Sequence, residues 1–312
     1  MTGANPYTAN KSYASSNLPF GAAGIAEVVK IAPFAPRYRR ITLASERFRE
    51  IGALNVHNCT ARLFFPPAGE EDVILPSFEA DPETLFRHVT AYVGRIGEVT
   101  RTWTIRHLDL ATGEGEFDFF LRQGSGLGLD WAKRAAVGDR IGFMLTKSGG
   151  STPGTGFDRQ IVFADEAAIP HIAVILQGLP AGTRTTVIAE VCDEADEQTF
   201  ASDAALEIIW VHRGDAEAGT TDHLKQALRA YGKPSGRFFV QGFAEAGLIT
   251  DIRRFLREEW GLDHHSCRVS GFWRRGKALT EAARIGYARV DAMAAKGITL
   301  DEEAFSKFLE YD

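Results

Sequence analysis

A run of glycine, serine, threonine and proline near the middle of the chain divides it into two segments with different residue patterns. This run, residues 148–157, consists almost entirely of turn-forming residues, which is typical of a linker. Before it, short alternating apolar runs end at turn residues, which predicts an antiparallel sheet. After it, strand patterns alternate with helix patterns, which predicts a parallel sheet covered by helices. The 312 residues are enough for two such cores.

The two patterns and the linker divide the chain into five segments. Residues 1–20 are rich in small polar residues and are expected to form a flexible tail, because they lack the apolar centre of a signal peptide. Residues 21–147 are predicted to form an antiparallel β-barrel or sandwich, followed by the linker over residues 148–157. Residues 158–276 are predicted to form a parallel α/β domain. Residues 277–312 are expected to form a C-terminal helical extension.

The strands and helices of each domain are predicted from the spacing of the apolar residues. In residues 21–147 we expect strands over residues 38–43, 60–65, 98–108, 116–121 and 140–145, with a helix over 81–93. In the second domain we expect strands over 160–164, 185–191, 206–212, 237–241 and 267–273, and helices over 167–179, 221–231 and 245–260. Ligands of such a parallel sheet bind at the carboxyl ends of its strands.

Composition excludes several classes of function. The net charge of −6 argues against a nucleic-acid or membrane-surface binder, which needs a basic field. No apolar run approaches the ~20 residues of a membrane span. Cys59, Cys192 and Cys267 lack metal-ligand spacing and are expected to be reduced thiols, and the eight histidines form no metal motif. We therefore expect a cytoplasmic monomer without a resident metal.

The most distinctive local motif is Arg-Thr-Trp-Thr-Ile-Arg at residues 101–106. Strand alternation sends residues 101, 103 and 105 to one face and 102, 104 and 106 to the other. Residues 111–115 have turn chemistry and are followed by a second alternating run, so the motif is predicted to open a hairpin. Two interpretations stay open at this point: a ligand-binding strand, or an ordinary strand with Trp103 in the barrel core.

Several such motifs occur in one order along the chain, and together they resemble one family. With them, residues 25–276 resemble the siderophore-interacting, or ferric-siderophore reductase, family of FAD-binding proteins in the ferredoxin-reductase-like superfamily. The resemblance implies that residues 21–147 form a six-stranded antiparallel β-barrel that carries a flavin, and that the α/β domain brings a nicotinamide to it. The matching motifs lie at residues 101–106, 117–121, 131–132, 138–139, 165–170, 242–246 and 270–276.

The resemblance implies a set of FAD contacts on the barrel. Arg101 would neutralise phosphate, Thr104 would hydrogen-bond the isoalloxazine, and Trp103, where the family has Tyr, would stack on it. The loop over residues 122–129 would bind phosphate through glycine N–H groups and the following helix, although Arg122, Leu127 and Leu129 depart from the family pattern. The implied FAD-binding residues are Arg101, Thr102, Trp103, Thr104, Arg106, Asp118, Phe119, Leu121, Arg122, Gly126, Gly128, Leu129, Trp131 and Trp273.

The resemblance also implies a nicotinamide side, at the carboxyl ends of strands in the second domain. Ala164, Ala167 and Ala244 replace residues that are usual in the family, and their methyl groups are expected to crowd the nicotinamide. The acidic residues 193–197 favour NADH over NADPH, whereas Arg213 could reach a 2′-phosphate. The implied residues are Asp165, Glu166, Ala167, Gly242, Phe243, Ala244 and Glu245.

The implied substrate is a ferric siderophore, and because these chelates are commonly anionic it would be held by Lys147, Arg274 and Arg275. The function implied by the resemblance is an FAD-dependent NAD(P)H:ferric-siderophore oxidoreductase. No side chain is expected to be catalytic in its own right, because hydride transfer belongs to the cofactors. The alternatives are a general flavin or ferredoxin-type reductase, and a flavin- or siderophore-binding module with little turnover.

Overall fold

The computed structural model describes residues 23–49, 60–66, 73, 100–146, 157–263 and 265–275. Within these ranges the N-terminal part contains seven strands and two helices. They are β1 Ala23–Ala35, β2 Tyr38–Ala44, α1 Glu46–Arg49, β3 Thr60–Phe64, β4 Thr100–Thr104, β5 His107–Asp109, β6 Glu114–Phe120, α2 Leu127–Arg134 and β7 Arg140–Thr146.

The seven strands form one antiparallel sheet that must curl into a barrel. Their order is β4-β3-β7-β1-β2-β6-β5, so β4 and β5 lie at opposite ends. A flat sheet of this order would separate its end strands by roughly 29 Å. Only Ile105 and Arg106 connect β4 to β5, and two residues span about 10 Å. The predicted barrel is therefore confirmed.

The described barrel has seven strands instead of the implied six. The five strands predicted by range become seven because β1 was not predicted and the predicted strand over residues 98–108 is interrupted. At the interruption Ile105 is buried, and the Arg106 N–H donates to the Glu116 carbonyl at 2.8 Å. The chain thereby leaves β3 and joins β6. The barrel core is aromatic, with Phe117, Phe119 and Trp131 almost fully buried.

The C-terminal part is a parallel sheet covered by helices on both faces, as the sequence predicts. Its strand order is β10-β9-β8-β11-β12, with β8 between its sequence neighbour β9 and the later β11. The elements are β8 Arg159–Ala164, α3 Ile169–Gln177, β9 Arg184–Val191, β10 Ala205–His212, α4 His223–Tyr231, β11 Phe238–Glu245, α5 Ala246–Glu258 and β12 Cys267–Trp273. The reversal of order beside β8 marks the expected ligand crevice.

Two buried clusters account for the covering of this sheet. One face packs against α3 through residues such as Ile172 and Ile175. The other face packs against α4 and α5 through residues such as Leu228 and Ile252. Because both faces are covered, the carboxyl edge of the sheet is the natural place for a ligand.

Several expectations fall outside the part of the chain that the structure describes. They concern the tail over residues 1–20, the helix over 81–93, Cys59, Lys147 and the extension over 277–312. Within the described ranges, no helix combines the length and apolar character that a bilayer crossing requires.

Candidate functional site

The carboxyl edge of the parallel sheet faces the barrel, and specific contacts join the two. The Tyr38 hydroxyl donates to the Glu166 carbonyl at 2.9 Å, within buried surroundings. Arg37, in the turn before β2, donates to the Asp196 carboxylate at 2.6 Å. These contacts bring the predicted flavin residues and the predicted nicotinamide residues to one region.

Asp118 organises the arginines on the barrel side of this region. Its side chain is 1% exposed and accepts two hydrogen bonds from Arg40, at 2.6 and 2.8 Å. Arg106 lies 3.9 Å from the same carboxylate. The structure therefore places Asp118 as an anchor for guanidinium groups, and it adds Arg40, which the motif did not indicate.

Two predicted phosphate-binding arginines are partly removed from water. Burial and the neighbouring Arg62 lower the pKa of Arg101 from its ordinary value. Burial likewise lowers the pKa of Arg106, and its guanidinium is 3.4 Å from the Gln177 amide oxygen. Both groups remain charged because arginine titrates far above neutral pH. A desolvated cation interacts strongly with an anion that replaces its lost water.

The loop before α2, which the resemblance predicts to bind phosphate, turns at Gly124. Gly124 has φ of +89°, which favours glycine, and α2 begins at Leu127 without a side-chain cap. The Gly126 N–H bonds the Asp130 carboxylate at 3.0 Å. An anionic phosphate would therefore compete with Asp130 for this donor.

Trp103 lies against the barrel core beside this loop. Its indole N–H donates to the Asp118 carbonyl at 3.3 Å, and its ring lies 4.6 Å from the Phe119 ring. A methyl group on Gly128 would overlap the Trp103 ring. Gly128 therefore provides space for the indole, which is a stronger structural reason for this glycine than approach to phosphate. Trp103 stays partly exposed, so stacking on a flavin remains a prediction.

Three other predicted cofactor contacts belong to the barrel core. The side chains of Phe119, Leu129 and Trp131 are buried. Phe119 and Trp131 belong to the hydrophobic cluster against which Trp103 packs, and contact of these three residues with a cofactor stays a prediction. Thr102 is exposed on the opposite side of β4 from Trp103, and Leu121 lines a junction cavity described below.

Asp165 is the buried centre of the parallel-sheet edge. Its carboxylate accepts hydrogen bonds from the Trp273 indole at 2.7 Å, the Glu245 N–H at 2.8 Å and the Ala167 N–H at 3.1 Å. Burial raises the pKa of Asp165 to about 8, while the bonds from Trp273 and Glu245 act in the opposite direction. Asp165 thus ties the ends of β8, β11 and β12 together.

Two more carboxylates lie beside Asp165 under the same edge. Glu166 is 1% exposed and receives the Arg213 guanidinium at 2.8 Å. Glu190 accepts from the Thr221 hydroxyl at 3.1 Å, and burial followed by the nearby Glu166 raises its pKa to about 7. Neither Glu190 nor Thr221 was indicated by a motif.

Arg213 is occupied by its own neighbours. Besides Glu166, it donates to the carbonyls of Gly214 and Ala216, and its side chain is 7% exposed. The alternative that Arg213 binds a 2′-phosphate would require breaking a buried ion pair. Arg213 therefore stabilises the protein edge.

The crowding predicted for the alanines is wrong for Ala164 and Ala244. Both side chains are fully buried, Ala164 on the α3 face and Ala244 on the α5 face. Their methyl groups point into the two cores, so they cannot narrow a cleft. Gly242 has a related packing reason, because a methyl group there would overlap the Phe163 ring.

Glu245 and Arg275 end the parallel edge. The Glu245 carboxylate caps α5 by accepting from Gly247 and Leu248, at 2.6 and 3.1 Å. Its other oxygen accepts from the Arg275 N–H at 3.1 Å. This bond fixes the backbone that carries Arg274 and Arg275. Convergence of these arginines with Lys147 stays a prediction.

Trp273 and His171 make further contacts across the junction. The Arg122 guanidinium lies 5.2 Å from the Trp273 ring centre, so a barrel-loop cation rests on an aromatic of β12. The His171 Nδ1 lies 3.4 Å from the Thr104 hydroxyl, and its ring contacts Phe243 and Phe272. His171 was missed because no spacing rule connects residues 104 and 171.

A cavity of about 180 Å3 opens at the same junction. Barrel residues form one wall, and the segment after β10 forms another. Its lining combines cations, carboxylates and apolar side chains, from Arg37, Phe120, Leu121, Arg122, Gln123, Cys192, Arg213, Asp215, Ala216, Glu217 and Ala218.

An antiparallel barrel that faces the ligand edge of a parallel sheet is the ferredoxin-reductase-like fold. Residues 27–148 match the model of the siderophore-interacting FAD-binding domain, and residues 157–276 match the model of the siderophore-interacting protein. The chain belongs to the siderophore-interacting protein family.

Individual relatives agree with this assignment. A siderophore utilization protein from T. fusca is 30% identical, with a TM-score of 0.67, over 82% of this chain and 94% of that chain. Ferric vibriobactin reductase of Vibrio cholerae is 26% identical, over 69% of this chain and 76% of the relative. An uncharacterised protein of Mycobacterium tuberculosis is 32% identical over 57% of this chain, and the match spans 65% of that relative's length.

Proposed function

We propose that the protein is an FAD-dependent NAD(P)H:ferric-siderophore oxidoreductase of the cytoplasm. Two features together carry the proposal. The barrel holds the half-buried Arg101 and Arg106, and the ligand edge of the parallel sheet faces this barrel. The FAD-binding domain model over residues 27–148 and the similarity to a ferric vibriobactin reductase support it.

The residues of the barrel side fit FAD by their chemistry. Arg101 and Arg106 supply cations for the pyrophosphate, and planar guanidinium groups match phosphate oxygens bidentately. The Gly124 turn and the start of α2 supply backbone N–H groups. Trp103 and Thr104 supply an aromatic face and a hydroxyl for the ring system. When bound, FAD accepts a hydride and releases electrons singly, which suits a one-electron acceptor such as Fe(III).

The parallel edge would orient the nicotinamide and exclude water. Asp165 holds the strand ends together, and Phe243 and Phe272 provide apolar surface around His171, which lies beside Thr104. NADH is the favoured donor because Arg213 is engaged by Glu166 and residues 193–197 are acidic. Arg274, Arg275 and Lys147 would attract the anionic ferric chelate. Iron is thus substrate, and it is released on reduction because hard oxygen chelators hold Fe(II) weakly.

The test is anaerobic reduction of the FAD-loaded protein, followed by stopped-flow absorbance near ~450 nm. We expect NADH to bleach the flavin, and a ferric siderophore then to reoxidise it with Fe(II) trapped by a colorimetric chelator. Bleaching followed by equal turnover of free flavin or ferredoxin would favour a general reductase. No bleaching with either nucleotide would favour a binding module and overturn the proposal.

A further inference from the structure

His171 occupies a place at the junction that the proposed reaction does not yet use. It is the third residue of α3, is 7% exposed, and directs Nδ1 toward the Thr104 hydroxyl at 3.4 Å. Phe243 and Phe272 hold the ring, with centroids 4.6 and 5.3 Å away. The imidazole therefore has a fixed orientation toward the barrel.

The imidazole is neutral at physiological pH. Burial lowers the pKa of His171 to about 4, and Arg268 acts in the same direction. A neutral imidazole has one nitrogen that donates and one that accepts, so its tautomer determines the direction of any bond it makes. Thr104 is 5% exposed, which restricts its hydroxyl to a few partners. The Thr104 proton and the His171 tautomer are therefore coupled.

We propose that His171 is a positioning residue of the flavin site, whose unprotonated Nδ1 accepts the Thr104 hydroxyl proton and leaves the Thr104 oxygen as an acceptor for the flavin. This inference rests on the proposed FAD binding. The ring nitrogen N5 of a flavin carries a hydrogen only after reduction. A threonine oxygen fixed as an acceptor therefore stabilises reduced FAD relative to oxidised FAD.

The quantity that reports this role is the ratio of the dissociation constants for oxidised and reduced FAD. We expect His171→Phe, which keeps a ring but has no acceptor, to lower this ratio about fivefold, as for the loss of one ordinary hydrogen bond. For a two-electron couple, a fivefold change corresponds to a fall of roughly 20 mV in midpoint potential. Thr104→Val should give a similar fall, and the double variant should fall no further than Thr104→Val alone.

Two conservative variants separate positioning from packing. In His171→Asn the side-chain oxygen can stand where Nδ1 stands. The ratio of the two dissociation constants should therefore lie within about twofold of the wild-type ratio, and Thr104→Ser should give the same result. A role in packing alone would make His171→Asn at least as damaging as His171→Phe, because the ring contacts are lost. That result, or additive effects in the double variant, would overturn the inference.

A second measurement needs no flavin. Long-range proton–nitrogen NMR on histidine-labelled apoprotein should show His171 as the neutral tautomer with Nδ1 unprotonated, and His171→Phe identifies the signal. Thr104→Val should shift that nitrogen, while the exposed Thr102→Val should not. An Nδ1-protonated His171 would refute the inference even if FAD binds. Failure of every variant and the wild type to bind FAD would instead refute the proposed function, and the inference with it.

Discussion

The barrel and the parallel sheet meet at one junction but prepare it in opposite ways. The barrel brings cations to the junction, with Arg40 and Arg106 gathered around a single buried carboxylate, Asp118. The parallel sheet brings buried carboxylates, Asp165, Glu166 and Glu190, of which only Glu166 contacts a cation directly among the described residues. Attraction for anions is thus a property of the barrel, and rigidity under desolvation is a property of the sheet edge.

The largest effect should follow from removing the cation of the sheet edge. Arg213→Met leaves Glu166 buried without its partner, which should reduce the free energy of unfolding by about 3–5 kcal/mol. Urea denaturation measures the loss. Arg229→Met is the matched control, because its pair with Glu259 is about half exposed and is screened by water, so its loss should be much smaller. Equal losses in the two variants would contradict the assigned contrast between buried and surface pairs.

A second effect concerns the pH dependence of stability. Burial raises the pKa of Glu190 from 4.5 to about 7, so the folded state keeps a proton that the unfolded state releases. Stability from Glu190 is therefore present below pH 4.5 and is lost as the pH rises toward 7. Glu190→Gln should remove this contribution to the pH dependence of the free energy of unfolding, which amounts to about 3 kcal/mol at most. Unfolding measured from pH 4.5 to 8 tests it, with Glu258→Gln, at an exposed site of α5, as the surface control.

On the barrel side, Arg101→Ala should weaken FAD binding while the fold survives. Loss of a charge-assisted contact with phosphate costs about 1.5–3 kcal/mol, or roughly 10- to 150-fold in the dissociation constant. Fluorescence titration of apoprotein with FAD measures it. Arg134→Ala, on the exposed side of α2, removes the same charge without a predicted contact. If both variants bound FAD equally well, Arg101 would not be a phosphate ligand.

The smallest effect distinguishes core packing from access to the cleft. Ala244→Gly should lower the free energy of unfolding by about 1–2 kcal/mol, because it removes a buried methyl and loosens the strand. The rate of flavin reduction by NADH should stay within about twofold of the wild type. A faster reduction in the glycine variant would revive the crowding that the buried position of Ala244 contradicts.

In both the barrel and the parallel sheet, the features that depend on neighbouring residues could be predicted from the sequence. Alternation, turn residues and the linker predict the antiparallel and parallel sheets, because those signals act over a few residues. The break at Ile105 and Arg106 was missed because it depends on β6, which follows in the chain. The motif at residues 101–106 indicates Arg101 by itself. Arg40 could not be predicted, because it lies on β2 and meets Asp118 of β6 only in the folded barrel.

Features of the parallel-sheet edge were harder to predict, because they too depend on residues that are distant in the chain. Ala244 was placed in a cleft by comparison of motifs, whereas strand alternation directs its methyl into the α5 core. Burial lowers the pKa of His171 and raises the pKa of Glu190, and this burial depends on residues far away in sequence. Burial by residues that are distant in sequence is not visible in a short motif.

The contacts of the turn between β1 and β2 have a consequence for building chimeras of proteins with this fold. Arg37 binds Asp193 and Asp196 after β9, and the next residue, Tyr38, binds the backbone of Glu166 after β8. The relative orientation of barrel and sheet is thus encoded on both sides of the junction. A barrel transplanted onto another parallel sheet of this fold would need acceptors at the places of Asp196 and Glu166, or the two domains would meet at a different angle.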